Sequence, residues 1–170
     1  MSAPVDEPRD ELSTLRLWHA DFRAAVERKT ADLGPEQLAR RSVPPSSLSL
    51  LGLVRHLAQL EHHWFRRVLQ QQWETEPQLF VVDGDWDSQF DGAAEDPALV
   101  EEAFTTWRAA CADADEFLDG LPNAALDVVI DPDDRIGSVR DALIQVLYEY
   151  SRHCGHLDLL REAIDGQTGE

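Results

Sequence analysis

Long apolar runs are missing from this chain. No segment reaches the roughly 18–20 consecutive apolar residues of a membrane span, so a transmembrane helix is not expected. Cations are also scarce: 15 Lys and Arg stand against 33 Asp and Glu, for a formal charge of -18. No Lys or Arg falls between Arg67 and Arg108. Nucleic acids and anionic membrane surfaces are gripped by clustered cations, so neither is an expected partner. The acidic residues read as a solubilising face. Cysteine is limited to Cys111 and Cys154, too few and too far apart in sequence for a disulfide framework. Two free thiols in a reducing compartment are predicted, with Cys111 packed along a helix. Met1 to Glu11 lacks the basic start and apolar stretch of a signal peptide, and a cytoplasmic location is expected. A Gly-rich phosphate loop is absent, and so is the Gly-x-Ser-x-Gly elbow of a serine hydrolase. Asp83, Asp85 and Asp87 match the opening of an EF-hand loop. Ser88 stands where that loop turns on Gly, however, and Ala94 where a bidentate Glu closes it, which excludes the calcium reading.

What is present is helical periodicity. At 170 residues and 43% hydrophobic content, the chain suits one domain, 1–170, with one sizeable core. The first predicted helix runs from about Pro8 to Leu33, with Leu12, Leu15, His19, Phe22 and Val26 as its inner stripe and Gly34-Pro35 as its stop. A short turn over Pro35 to Arg41 leads to Pro44-Pro45-Ser46-Ser47, where the serines are placed to cap the second helix. That helix is predicted over about Leu48 to Trp73, with Leu50, Leu53, Leu57, Leu60 and Trp64 on one side. The third opens at Asp96-Pro97, turns Val100, Phe104, Trp107, Cys111, Ala114 and Leu118 inward, and ends near Gly120. The fourth opens at Ser138, with Asp141 as capping-box partner. It carries Val139, Leu143, Val146, Tyr150, Leu157, Leu160 and Ile164 inward and stops at Asp165-Gly166. Val128-Val129-Ile130 reads as extended, without an evident strand partner. The short link between the first two helices makes them antiparallel neighbours. The long acidic stretch Glu74 to Glu95 is expected to cross the bundle, giving an all-α, up-down-down-up four-helix bundle.

Among six histidines, His153 lies on the inward stripe between Tyr150 and Leu157. Glu149, four residues earlier, projects from the same face one turn away, the spacing that lets one helix chelate a metal with two side chains. A third ligand must come from another helix, and His56, at the border of the second helix's buried face, is the best donor. Two histidines and a carboxylate suit zinc with a position left open, and equally nickel or ferrous iron. His156 is a candidate fourth ligand or outer partner. His19 reads as a core histidine, His62 as a surface residue, and His63 shares a side with His56 and reaches toward the rim of the site. A Cys154–His153 nucleophile fails, because helical neighbours point about a hundred degrees apart.

Two stretches resemble a known family. Ser49-Leu50-Leu51-Gly52-Leu53-Val54-Arg55-His56-Leu57, followed by Trp64-Phe65, looks like the second helix of the DinB-like metal-binding four-helix proteins. The run from Glu149 through Tyr150-Ser151-Arg152-His153-Cys154-Gly155-His156-Leu157 to Glu162, with Ile164-Asp165-Gly166, is similar to the fourth helix of their actinobacterial mycothiol S-transferase-like branch. The resemblance covers nearly the whole domain and is weak across the acidic stretch and the third helix. It implies a metal held by His56, Glu149 and His153, with His156 or Asp158 orienting them. Many relatives carry His where this chain has Glu149, while mycothiol-dependent isomerases resemble it in using Glu. The branch often shows His where this chain has Gln145 and an acid where it has Tyr148, departures that bear on substrate recognition. His156 stands where the broader family often has Gln.

The function implied is a metal-dependent thiol S-transferase. Its partners are a small-molecule thiol, mycothiol by resemblance, and an electrophile, in a monomer or homodimer. A metal-activated hydrolase and a non-catalytic, stress-related metal-binding bundle are the alternatives.

Overall fold

The computed structural model describes residues 9–131 and 135–168, and its described residues form helices and connecting loops without a named strand. The expected first residue of the opening helix, Pro8, lies outside them. Four long helices build the bundle: α1 (Glu11–Thr30), α3 (Leu50–Glu61), α5 (Pro97–Asp119) and α6 (Val139–Asp165). Short helices α2 (Pro35–Ala39) and α4 (Ser88–Asp91) lie in the connections.

The boundaries follow from capping chemistry. Asp10 accepts from Ser13 N at the start of α1, and Asp96 accepts from Ala98 N ahead of Pro97 in α5. Ser138 and Asp141 close a reciprocal capping box on α6, and Gly166, at φ 79°, ends it in the left-handed region that glycine adopts freely. The cap of α3 is Ser49, whose Oγ accepts from Gly52 N, and not Ser46 or Ser47. Ser46 is occupied in the preceding turn, its Oγ accepting from Leu48 N.

The register of side-chain contacts fixes the topology. Arg140 pairs with Glu11 at 2.7 Å, and Arg161 donates to the Lys29 carbonyl at 3.1 Å, so α1 and α6 start together and end together. Arg23 meets Asp115, and Glu27 meets Arg108, so α1 and α5 are antiparallel. His56 faces His153 while Tyr150 reaches back to Glu61, which sets α3 against α6. Cys111 lies against Glu61 and Asp113 against Arg66, so α3 and α5 run the same way. The bundle is up-down-down-up, and the acidic stretch is its crossover.

Two departures from the expected elements bear on the site. The second helix does not continue as an α-helix to Trp73; after Glu61 it widens into a π-helix over His62–Leu69. The wider turn changes the angular placement of every side chain beyond it, and such stretches concentrate at functional sites. The Val128-Val129-Ile130 segment does find a partner: Val129 bridges to Ser138, and Ile130 N donates to Gly137 O at 2.9 Å. That bridge seats the chain just before α6.

Candidate metal centre

At the middle of the bundle lies a polar knot that the sequence did not announce. Glu61 is fully buried and receives both Nε and Nη2 of Arg23 at 2.8 Å, together with the Tyr150 hydroxyl at 2.6 Å. Trp107 Nε1 in turn donates to the Tyr150 oxygen at 2.9 Å. Burial alone raises a carboxyl pKa, but the Arg23 charge and its hydrogen bonds outweigh it and hold Glu61 below its ordinary value. The same burial, with the Glu61 charge beside it, pushes the Tyr150 hydroxyl well up. The phenol therefore stays protonated and serves as a donor. This knot binds α1, α3, α5 and α6 to one another at a single level. Glu61 is thus part of the core. Its charge is tolerated inside because Arg23 comes from the facing helix.

One turn from that knot, His56, Glu149 and His153 converge, with one potential ligand atom from each inside a group spanning no more than 4.8 Å. Among the described residues this is the group that gathers three such atoms. The rings of His56 and His153 are 4.5 Å apart, and Glu149 Oε2 lies 3.4 Å from His153 Nε2. Bonds of about 2.0–2.2 Å to one ion require donors no more than about 4.4 Å apart, so a small side-chain adjustment closes the set around a cation.

The surroundings choose which ring atoms face inward. His56 Nδ1 lies 3.1 Å from the Oε1 of Gln89, a residue 2% exposed in α4. Gln89 Nε2 donates to the Trp86 carbonyl, so its oxygen is the atom turned to the ring, and His56 Nδ1 is the donor. His56 Nε2 is left with a lone pair, buried and without a hydrogen-bond partner. An orphaned buried acceptor facing a second histidine and a carboxylate is what a metal site presents before it is filled. Burial, with opposing influences from Gln89, Glu149 and Arg152, lowers the His56 pKa. Burial and then the neighbouring His56, His156 and Arg152 take His153 down to about 3. Both rings are thus neutral, as ligands must be.

His156 and Asp158 fare differently. His156 Nδ1 sits 3.2 Å from His153 Nδ1 and supplies no atom to the converging group. Asp158 turns away from the group to pair with Lys29 of α1 at 2.6 Å. Five residues on a helix carry a side chain about 140° around from His153. Gln145, the position where the branch often has His, donates to Glu149 Oε1 at 3.1 Å, and Arg152 reaches both oxygens of that carboxylate.

The remaining residues sort simply. His19 is buried in the core with its ring edge toward Phe65. His62 is half-buried and bonds to the Pro77 carbonyl of the crossover instead of standing free on the surface. His63 lies against Trp64 and Trp86. Cys111 and Cys154 are free thiols. Asp85 accepts from Asp87 N, and no calcium cage forms in that turn among the described residues. Arg55 of α3 clamps the crossover by donating to the carbonyls of Gln89 and Ser88. Gly92 is required there, because a Cβ would fall 2.4 Å from Arg55 Nη2 and 2.9 Å from Ser88 O. Gln89 itself escaped sequence reasoning: it sits in a stretch without periodicity, 33 residues from its partner.

No helix of the described residues is long and apolar enough to cross a membrane. No curated protein matches the chain at a significant level. The fold is similar to that of a conserved protein from Enterococcus faecalis known by crystal structure, with a TM-score of 0.69 at 15% identity, covering 94% of this chain and 100% of the other. The mycothiol-S-transferase family model matches residues 14–166, nearly the whole bundle including all three converging side chains, and the chain belongs to that family.

Proposed function

We propose that this protein is a divalent-metal-dependent S-transferase that conjugates a low-molecular-weight thiol, mycothiol, to an electrophilic small molecule. The observation that carries the reading is the orphaned His56 Nε2 turned toward Glu149 and His153, in a chain of the mycothiol-S-transferase family. His56, Glu149 and His153 are the ligands, with zinc the ion that best suits them and nickel or ferrous iron compatible. Two neutral imidazoles and one carboxylate leave a divalent cation with net positive charge. A cation so held lowers the pKa of a thiol beside it, so that thiolate is available near neutral pH.

The chain's own residues do the rest. Gln89 holds the His56 ring with Nε2 forward, and His156 fixes His153 from behind. Gln145 and Arg152 hold the Glu149 carboxylate. In the transfer the thiol proton passes to solvent. A sulfur–carbon bond forms, and the carbon–leaving-group bond breaks with its electron pair departing on the leaving group. Addition of the thiol across an activated double bond is the variant with no leaving group. A cytoplasmic location, where such thiols are kept reduced, goes with this reading, as does action as a monomer or homodimer.

The test is metal content of the purified protein beside the His153→Ala variant, followed by zinc-dependent conjugation of mycothiol to a model electrophile and by ester and amide hydrolysis assays. Equal metal in both proteins overturns the site. Stoichiometric metal with hydrolysis and no conjugation overturns the transferase.

A further inference from the structure

Next to the π-helical stretch is a cavity of about 510 Å³, within the size range of small-molecule sites. Its lining includes His63, Trp64, Val68 and Trp73 together with Ile130 and Ile136. Three features set it apart from a packing gap. Trp73 is 63% exposed at its edge, an apolar surface left uncovered, and its backbone is pinned there by Arg67 donating to the Trp73 carbonyl. His63 stands edge-on to Trp64 at 5.2 Å and to Trp86 at 6.3 Å, and its Nδ1 is shut from solvent without a hydrogen-bond partner. Finally, Ile136 also borders a second cavity of about 380 Å³ that is walled by Gln145, and Gln145 donates to Glu149. Ile136 thus borders both the aromatic cavity and the one whose wall holds Gln145, the residue that donates to Glu149.

The lining selects a kind of ligand. Among the described residues the one charged side chain on it is Asp131, so none of them neutralises an anion. Indole and imidazole faces reward a flat ring over a saturated group of equal size. We propose that this cavity holds an aromatic ring of the second substrate that carries no negative charge, stacked against the indole side chains of Trp64 and Trp73. That the ring belongs to an electrophile rests on the S-transferase reading; that the cavity binds such a ring does not.

The experiment separates the two. Binding of para-nitrobenzyl alcohol, a neutral and unreactive ring, is measured by calorimetry on the full chain without thiol. It is compared with cyclohexylmethanol and with benzoate. The wild type is expected to bind the nitro-aromatic alcohol and to bind the other two at least about 10-fold more weakly. Trp73→Ala, at an exposed position that leaves the fold alone, is expected to weaken binding about 10-fold. No binding by the wild type, equal binding of benzoate, or unchanged binding in Trp73→Ala overturns the cavity's assignment. A second measurement follows conjugation of chlorodinitrobenzene and of iodoacetamide. Trp73→Ala is expected to raise KM about 10-fold for the aromatic electrophile only, and equal changes for both electrophiles overturn the placement of the ring. Ring binding with no conjugation to any thiol keeps the cavity and overturns the transferase reading.

Discussion

Gln89 and His56 lie 33 residues apart in sequence, yet the glutamine oxygen sits 3.1 Å from the imidazole Nδ1, and this one contact decides which ring nitrogen faces Glu149 and His153. Removing the glutamine oxygen frees the ring to rotate and to exchange tautomers. Gln89→Leu is therefore expected to weaken zinc binding about 10- to 100-fold, the usual effect of losing an outer-shell partner. Gln89→Glu, which keeps an acceptor, retains affinity. Competition with a chromophoric chelator measures both, and nitrogen NMR of the His56 ring reports the tautomer in the metal-free protein. Wild-type affinity in Gln89→Leu would show that the contact has no role in binding.

Metal is expected to stabilise the bundle, since the unfolded chain cannot gather ligands from α3 and α6. Zinc a hundredfold above its Kd adds about 2.7 kcal/mol by mass action. The wild-type Tm should rise with zinc and fall again with chelator, while His153→Ala and Glu149→Ala show little response. A zinc response undiminished in both variants would place binding elsewhere.

The Glu61 knot carries stability, not coordination. Glu61→Ala leaves the Arg23 charge in the core with only Asp115 at its outer edge, and a loss of about 3–5 kcal/mol in urea unfolding is expected. Tyr150→Phe removes the hydrogen bond to the buried carboxylate and the one accepted from Trp107 Nε1, and should lose at least about 1.5–3 kcal/mol. Replacing Arg23 and Glu61 together by Met and Leu should recover much of the Glu61→Ala loss, because no charge is then left unpaired. A double variant as unstable as the single one would point to lost packing instead.

Acid should weaken the metal-free protein through His19. Burial is the chief cause that takes its pKa from 6.5 down to about 4, with Glu61 and Arg23 pulling in opposite directions. The unfolded chain therefore takes up a proton near 6.5 that the folded chain refuses until about 4. Stability is whole above that upper value and declines as pH falls between the two, by up to about 3 kcal/mol from this residue. His19→Phe should flatten that slope in urea unfolding followed from pH 7 downward. An unchanged slope would assign the loss to other groups.

Much of the architecture was legible because it rests on local rules. The stripes of α1, α5 and α6, the proline at the start of α5 and the capping box at Ser138 each involve residues within a turn or two of one another. Their spacing carries the information. The same holds for Glu149 and His153, which share a helix face whatever the rest of the fold does. The length of the acidic stretch sufficed to infer a crossover. The choice of Ser49 over Ser46 as cap was not legible, because both fit the rule and only the preceding turn separates them.

What the sequence by itself determined, then, is the set of helices, their order and the shared face of Glu149 and His153 on the last of them, since periodicity is a property of neighbouring residues. Only the tertiary structure decided that Glu61 is buried against Arg23, that Asp158 turns to Lys29, and that Gln89 aims His56. It also decided that the second helix widens after Glu61 and sets His63 among tryptophans. Each of these depends on how one helix is rotated against another, and that rotation is settled by packing over the whole core, not by any stretch of chain alone.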